Sequence, residues 1–266
     1  MTVSVNLQER RGNSWRRGLA PLLRREMVNW WGTRRWIVQT VIWVAVRAGL
    51  LAVGLYVLPA MAAADGATLS PAEGLEAGRQ MFFGLGVLGL SIGAIVLLQD
   101  AIIEEKTTGT AEWVLSKPAS RTAYVLAKLL PNLLGMAVTM ILIPSLVGYA
   151  MLRSYGAEFT PAGFLGSEGI VALHLLFYVM LTLMLGVLFS SRPPLLAVAL
   201  GSLFGGSLLP VAAIVQFTPW RLADMVVLPV MAMPLPSIAT TMMVSTAAWS
   251  VVFVAVAIWR FNRQEF

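Results

Sequence analysis

There is no cysteine in these 266 residues and a single histidine, His174. A disulfide framework, a thiolate nucleophile and a Cys-ligated metal are therefore excluded. No second imidazole exists to complete a metal site with the adjacent acids Glu104 and Glu105. Charge is scarce as well: Asp, Glu, Lys and Arg make up 12% of the chain, where a soluble domain carries about 25%. The phosphate-cradling pattern G-x-x-x-x-G-K-[ST] is absent. Gly89-Leu90-Ser91-Ile92-Gly93 matches G-x-S-x-G, but a nucleophile elbow needs a strand–turn–helix setting, and this stretch lies inside an apolar run. With Gly86 it reads as a small-residue packing face, as do Gly201, Gly205 and Gly206 further on.

What the chain has is hydrophobicity, 58% of its residues. Six apolar runs, at 36–58, 80–103, 123–152, 167–190, 195–216 and 238–259, each reach the ~20 residues a helix needs to cross a ~30 Å hydrocarbon core. The expected fold is all-α and integral to the membrane, with six transmembrane helices. Pro131 and Pro144 are expected to kink the long third span. The run at 225–233 is apolar but short and flanked or broken by prolines, which suits a re-entrant or interfacial segment before the last span. Trp220 and Arg221 are placed at headgroup level beside it.

Basic residues set the topology. Arg10, Arg11, Arg16, Arg17, Arg24, Arg25, Arg34 and Arg35 precede the first span. Lys106, Lys117, Arg121 and Lys128 flank the second connection, Arg192 lies in the fourth, and Arg260 and Arg263 follow the last span. The other side has only Arg79, Arg153 and Arg221. Both termini are therefore expected in the cytoplasm of a multi-pass plasma-membrane protein. The net charge of +6 is explained by this bias, so no nucleic-acid partner is inferred. The first apolar run follows a long basic lead and exceeds a signal h-region, so cleavage at the small-residue stretch 60–64 is not expected. Over 14–32, Trp15, Leu19, Leu22, Leu23, Met27 and Trp30 share one helical arc opposite Arg17, Arg24 and Arg25, with Pro21 as the first helical residue and Arg16 and Glu26 as exceptions. This is the pattern of an amphipathic helix lying on the bilayer.

The connection at 104–120 is longer than a turn requires. Gly109-Thr110 breaks the incoming helix. A short helix follows, with Ala111, Val114 and Leu115 on one face, Trp113 on another, and Glu112 and Lys117 exposed. Pro118 stops it and Ser120 caps the third span. The residues Glu105-Lys106-x-x-Gly109-Thr110-x-Glu112-x-x-Leu115-Ser116-Lys117-Pro118-x-x-Arg121, then Lys128, resemble the E-K-x-x-G-T…L-x-x-P-x-x-R…K pattern of the permeases of ATP-binding-cassette (ABC) type 2 exporters. The layout around them resembles that family too. The resemblance implies one permease domain over 1–266, a coupling segment at 104–118 that docks on an ATPase subunit, and ATP and Mg bound in that partner rather than here. It further implies that Arg121 and Lys128 anchor the third span at the inner headgroups, and that a second permease copy or a paralogue completes the membrane portion. The chain itself is then no enzyme. A secondary transporter or a polytopic membrane enzyme is the alternative; the former shows repeats and paired midplane charges, and here only Arg47 and His174 come close.

Arg47 stands mid-way along the first span, at a cost of roughly 2.5–3.5 kcal/mol on insertion scales. Such a residue faces a bundle interior or a watery path, or else snorkels. Asp100 is the nearest acidic candidate partner, near the inner end of the second span. His174, in the fourth span, suits a neutral imidazole bonded to a carbonyl better than a ligand or relay.

Overall fold

The computed structural model describes residues 15–206 and 212–264. Every regular element among them is a helix. In chain order they are α1 (Leu19–Trp31), α2 (Arg35–Ala64), α3 (Pro71–Thr107), α4 (Thr110–Leu115), α5 (Arg121–Ser154), α6 (Pro161–Leu188), α7 (Arg192–Gly205), α8 (Ala212–Val215), α9 (Leu222–Met225) and α10 (Ser237–Asn262). Five of them, α2, α3, α5, α6 and α10, are long and apolar enough to cross a membrane. The run at 195–216 is described as α7 and α8, with 207–211 outside the described residues. α7 alone has 14 residues, short of the ~20 a crossing needs.

Several helices start before their apolar runs do. The Ser70 hydroxyl accepts from the Glu73 N–H, and the Glu73 carboxylate accepts from the Ser70 N–H at 2.7 Å, with Pro71 at the first helical position. This reciprocal cap starts α3 at Pro71, so the connection at 59–79 shrinks to 65–70. Thr160 caps α6 from one side only, its hydroxyl accepting from the Gly163 N–H. α2, α3 and α5 also contain wide π-helical turns, at Val53–Val57, Gln80–Leu85 and Ala137–Leu142. Two of these run directly up to Pro59 and Pro144. A proline supplies no N–H and crowds the carbonyl four residues back, and a widened turn ahead of it relieves both. Pro131 lies inside α5 without such a turn.

α6 is the hub: 78% of its apolar window is buried, against 22% for α10 and 28% for α2. α3 and α10 pack along it, and the outer helices present Val41, Leu146, Val244 and Val251 outward, as lipid-facing surfaces require. The broken run at 225–233 folds back on the start of α6. Leu222, Val226, Val227 and Val230 are buried there, Pro229 packs against Gly163 and Gly166, and the Val230 N–H donates to Ser167 Oγ at 3.1 Å.

α1 lies on α5. Trp30 fills a notch at Gly135, where an added Cβ would stand 1.9 Å from the indole. Leu19, Leu22, Leu23 and Met27 turn the same way, half-buried. Pro21 is the third helical residue rather than the first; its missing N–H is still one of the four that a helix start leaves unbonded. Ser14 lies outside the described residues. Of the small-residue positions, Gly93 admits the Trp43 ring and Gly206 lies under Trp220, while Gly89, Gly201 and Gly205 meet nothing within 4 Å.

Candidate coupling site

α3 ends at Thr107, and the chain turns at Gly109, whose φ of 72° is left-handed. A side chain is strained in that conformation. α4 leaves this turn with Ala111 and Val114 packed inward and Glu112 and Trp113 outward. Lys117 lays its ammonium 3.4 Å over the Trp113 ring. The Leu115 side chain lies outside the described residues. Pro118 follows the helix end, and Ser120 Oγ accepts from the Ala123 N–H to start α5. The same Ser120 donates from its N–H to Arg17 O at 2.9 Å and from its hydroxyl to Trp15 O at 2.5 Å. The approach to α1 is thereby stitched to the start of α5. Between α1 and α4 runs a groove of about 580 Å³, lined by Leu22, Arg25, Trp113, Val114 and Lys117 among others.

Beneath the groove sits an ionic knot. Glu105 accepts from Lys128 at 2.7 Å, from the Tyr124 hydroxyl at 2.5 Å and from Arg25 at 3.0 Å. Lys128 reaches Glu26 at 2.7 Å as well. Glu26, which breaks the apolar arc of α1 in sequence, therefore points inward to meet a cation. Tyr124 and Lys128 stand four residues apart on one face of α5, and the Tyr124 ring stacks on Phe261 of α10 at 5.0 Å. The knot joins α1, α3, α5 and α10 at the root of α4.

This geometry corrects the headgroup anchor at Lys128. Lys128 is 6% exposed and doubly paired, because it faces α1 and α3 rather than lipid. Arg121 donates to the carbonyls of Asn262 and Gln264 at the end of α10, because the start of α5 lies beside that end. Lys106 donates to the carbonyls of Val187 at 3.0 Å and Phe189 at 2.8 Å, a cation on the C-terminal carbonyls of α6. Of the sequence candidates, Glu112, Thr110, Lys117 and Pro118 surround the exposed helix, Glu105 and Lys106 bond inward at its root, and Glu104 stays exposed.

The buried charge lies elsewhere. Arg47 is fully buried and forks onto Glu168, Nη2 to Oε1 at 2.7 Å and Nη1 to Oε2 at 3.3 Å, with Nη1 also donating to Ser145 Oγ at 3.0 Å. The guanidinium stands 4.0 Å over the Phe82 ring. Phe82 belongs to one wide turn and Ser145 follows another, so irregular backbone surrounds the pair. Asp100 is not its partner: Asp100 bonds Arg192 at the start of α7, since the C-terminal part of α3 and the start of α7 lie at the same end of the bundle. His174 Nδ1 lies 2.9 Å from Ser91 Oγ, not on a carbonyl. Arg47, Asp100 and His174 therefore form no single cluster. Sequence reasoning passed over Glu168, although it is the one acid inside the fourth apolar run, and over Arg25, Glu26, Tyr124 and Ser145.

A bundle with five helices long and apolar enough to cross a membrane, and a short helix carried at one end, is that of a multi-pass membrane protein. The chain matches the family model described as ABC-2 family transporter protein over residues 20–266, and it belongs to that family: it is a permease component of an ABC transporter. No curated protein matches it.

Proposed function

We propose that this chain is the permease subunit of an ATP-driven exporter, docking a separate ATPase subunit through α4 and its flanks, residues 104–118. The observation that carries the reading is α4 itself. It presents Glu112, Trp113 and Lys117 outward, while Glu105 of α3, at its root, is bonded to α1 and α5. A push on α4 is therefore delivered to α1, α3 and α5 together. ATP and Mg²⁺ bind in the partner, and a second copy or a paralogue completes the membrane portion. The Lys/Arg bias supports a cytoplasmic position for α4 and both termini.

Six crossings are supported by the helix ends. Arg121 holds the end of α10, and Lys106 and Gln264 both bond the end of α6. α6 and α10 thus end on one side, and α7 begins there. The chain between Arg192 and Ser237 must return across the membrane, which is what a fifth span at 195–216 would do.

The test is co-purification of the detergent-solubilised complex. Glu112→Lys and Trp113→Ala, both at exposed positions, should leave the permease folded and inserted yet lose the ATPase subunit and substrate-stimulated ATP hydrolysis. Unchanged co-purification together with unchanged stimulation would overturn the docking role.

A further inference from the structure

A second polar site lies beside the knot. A cavity of about 270 Å³ opens between α1, α2, α3 and α5, at the same end of the bundle as α4. It is smaller than the roughly 300–1,000 Å³ of drug-sized pockets, so it suits a head group rather than a whole amphiphile. Glu26 and Glu105 in its wall are taken by Lys128, and Asp100 by Arg192. Two opposite charges are left without a hydrogen-bonded counter-ion, although Glu26 also acts on Arg35 through space. Arg35, the first residue of α2, is stacked on the Trp30 ring at 4.2 Å, and its guanidinium bonds no carboxylate among the described residues. Glu104, in the last turn of α3, likewise has no partner for its carboxylate among them. The amide of Asn29 and the third donor of Lys128 also line the space.

We propose that this cavity binds the head group of phosphatidylethanolamine, phosphate on Arg35 and primary ammonium on Glu104. The chemistry discriminates among lipids. Four carboxylates and two cations line the cavity, which disfavours a net-anionic head. No aromatic ring lines it, and a quaternary ammonium, which donates no hydrogen bond, relies on such rings. A primary ammonium offers three donors to Glu104 and its neighbours. Arg35 and Glu104 both stand where apolar helices end, which is where a crossing helix meets the head-group region. The assignment to the inner leaflet rests on the topology proposed above; the binding does not.

The purified protein in detergent is titrated with dioctanoyl phosphatidylethanolamine, its phosphatidylglycerol and phosphatidylcholine counterparts, and free glycerophosphoethanolamine, and the melting temperature is followed. Phosphatidylethanolamine should give a saturating rise at the lowest concentration. Arg35→Gln and Glu104→Gln should each weaken its apparent affinity about tenfold or more, the loss of one charged hydrogen bond. Arg35→Lys and Glu104→Asp should retain part of the effect. Three results would overturn the proposal: equal or tighter phosphatidylglycerol binding that ignores Glu104→Gln, equal phosphatidylcholine binding, or free glycerophosphoethanolamine matching the lipid. Because no ATPase subunit is present, the outcome is independent of the docking experiment.

Discussion

Arg47 and Glu168 are each tolerable only because of the other. A lone buried charge costs several kcal/mol, whereas a forked guanidinium–carboxylate pair with a third bond to Ser145 recovers much of that cost. Removing one partner leaves the other charge buried. Arg47→Leu and Glu168→Leu should therefore each destabilise the protein by about 3–5 kcal/mol, and the double substitution by much less than the sum. Thermal unfolding of the four proteins at equal detergent checks this; strictly additive losses would show that the pair is not coupled. Sequence reasoning found Arg47, because a mid-span charge stands out from hydropathy alone. It missed Glu168 because the apolar run was set to begin at 167, leaving that acid apparently at the rim. The helix begins at Pro161, which places Glu168 two turns inside it. Once Glu168 is inside, it and not Asp100 is the acid available to Arg47.

At the scale of elements, α4 depends on its hinge. Gly109 holds φ at 72°, and a β-branched residue there would cost about 1–2 kcal/mol or turn the helix elsewhere. Gly109→Val should therefore weaken ATPase association, while Gly109→Asn, which accepts left-handed backbone more readily, should retain more of it; equal loss from both would show that the backbone angle is not what matters. Glu105 acts one level down. Glu105→Gln removes the anion shared by Lys128, Arg25 and Tyr124, worth about 1–3 kcal/mol. Amide hydrogen exchange in α1 and α4 should then quicken while α6 stays protected, and uniform quickening of all three would point instead to global loosening. The existence of these helices was legible in the sequence: a glycine break, a proline stop and a serine cap are local signals. The knot was not, because its members come from three segments and look individually like solvated charges. Helix starts were mislaid for a related reason. Hydropathy does not register polar first turns, although Ser70-Pro71-x-Glu73 and Thr160-Pro161 carried the capping signal.

For the whole molecule, the order of apolar runs was readable because each must bury its backbone polar groups within itself to cross lipid. Which helix becomes the hub was not, since the runs are similarly apolar and only packing makes α6 the centre. The parity of crossings proposed from the helix ends can be tested directly, because the chain has no cysteine of its own. Single cysteines at the exposed positions Thr108 and Ser191 should react with a membrane-impermeant maleimide only from the cytoplasmic side. Ones at exposed Thr68 and Glu158 should react only from outside. Gln264, beside the end of α6, and Thr218, between α8 and α9, decide the remaining crossing. With six spans, Gln264 is cytoplasmic and Thr218 external. Labelling of Gln264 and Thr218 from the same side would mean that α10 does not cross, and labelling of Ser191 and Thr218 from the same side would remove the span at 195–216. Reversal at Thr108 would place α4 outside the cell, beyond reach of any cytoplasmic ATPase, and the coupling mechanism would fall with it.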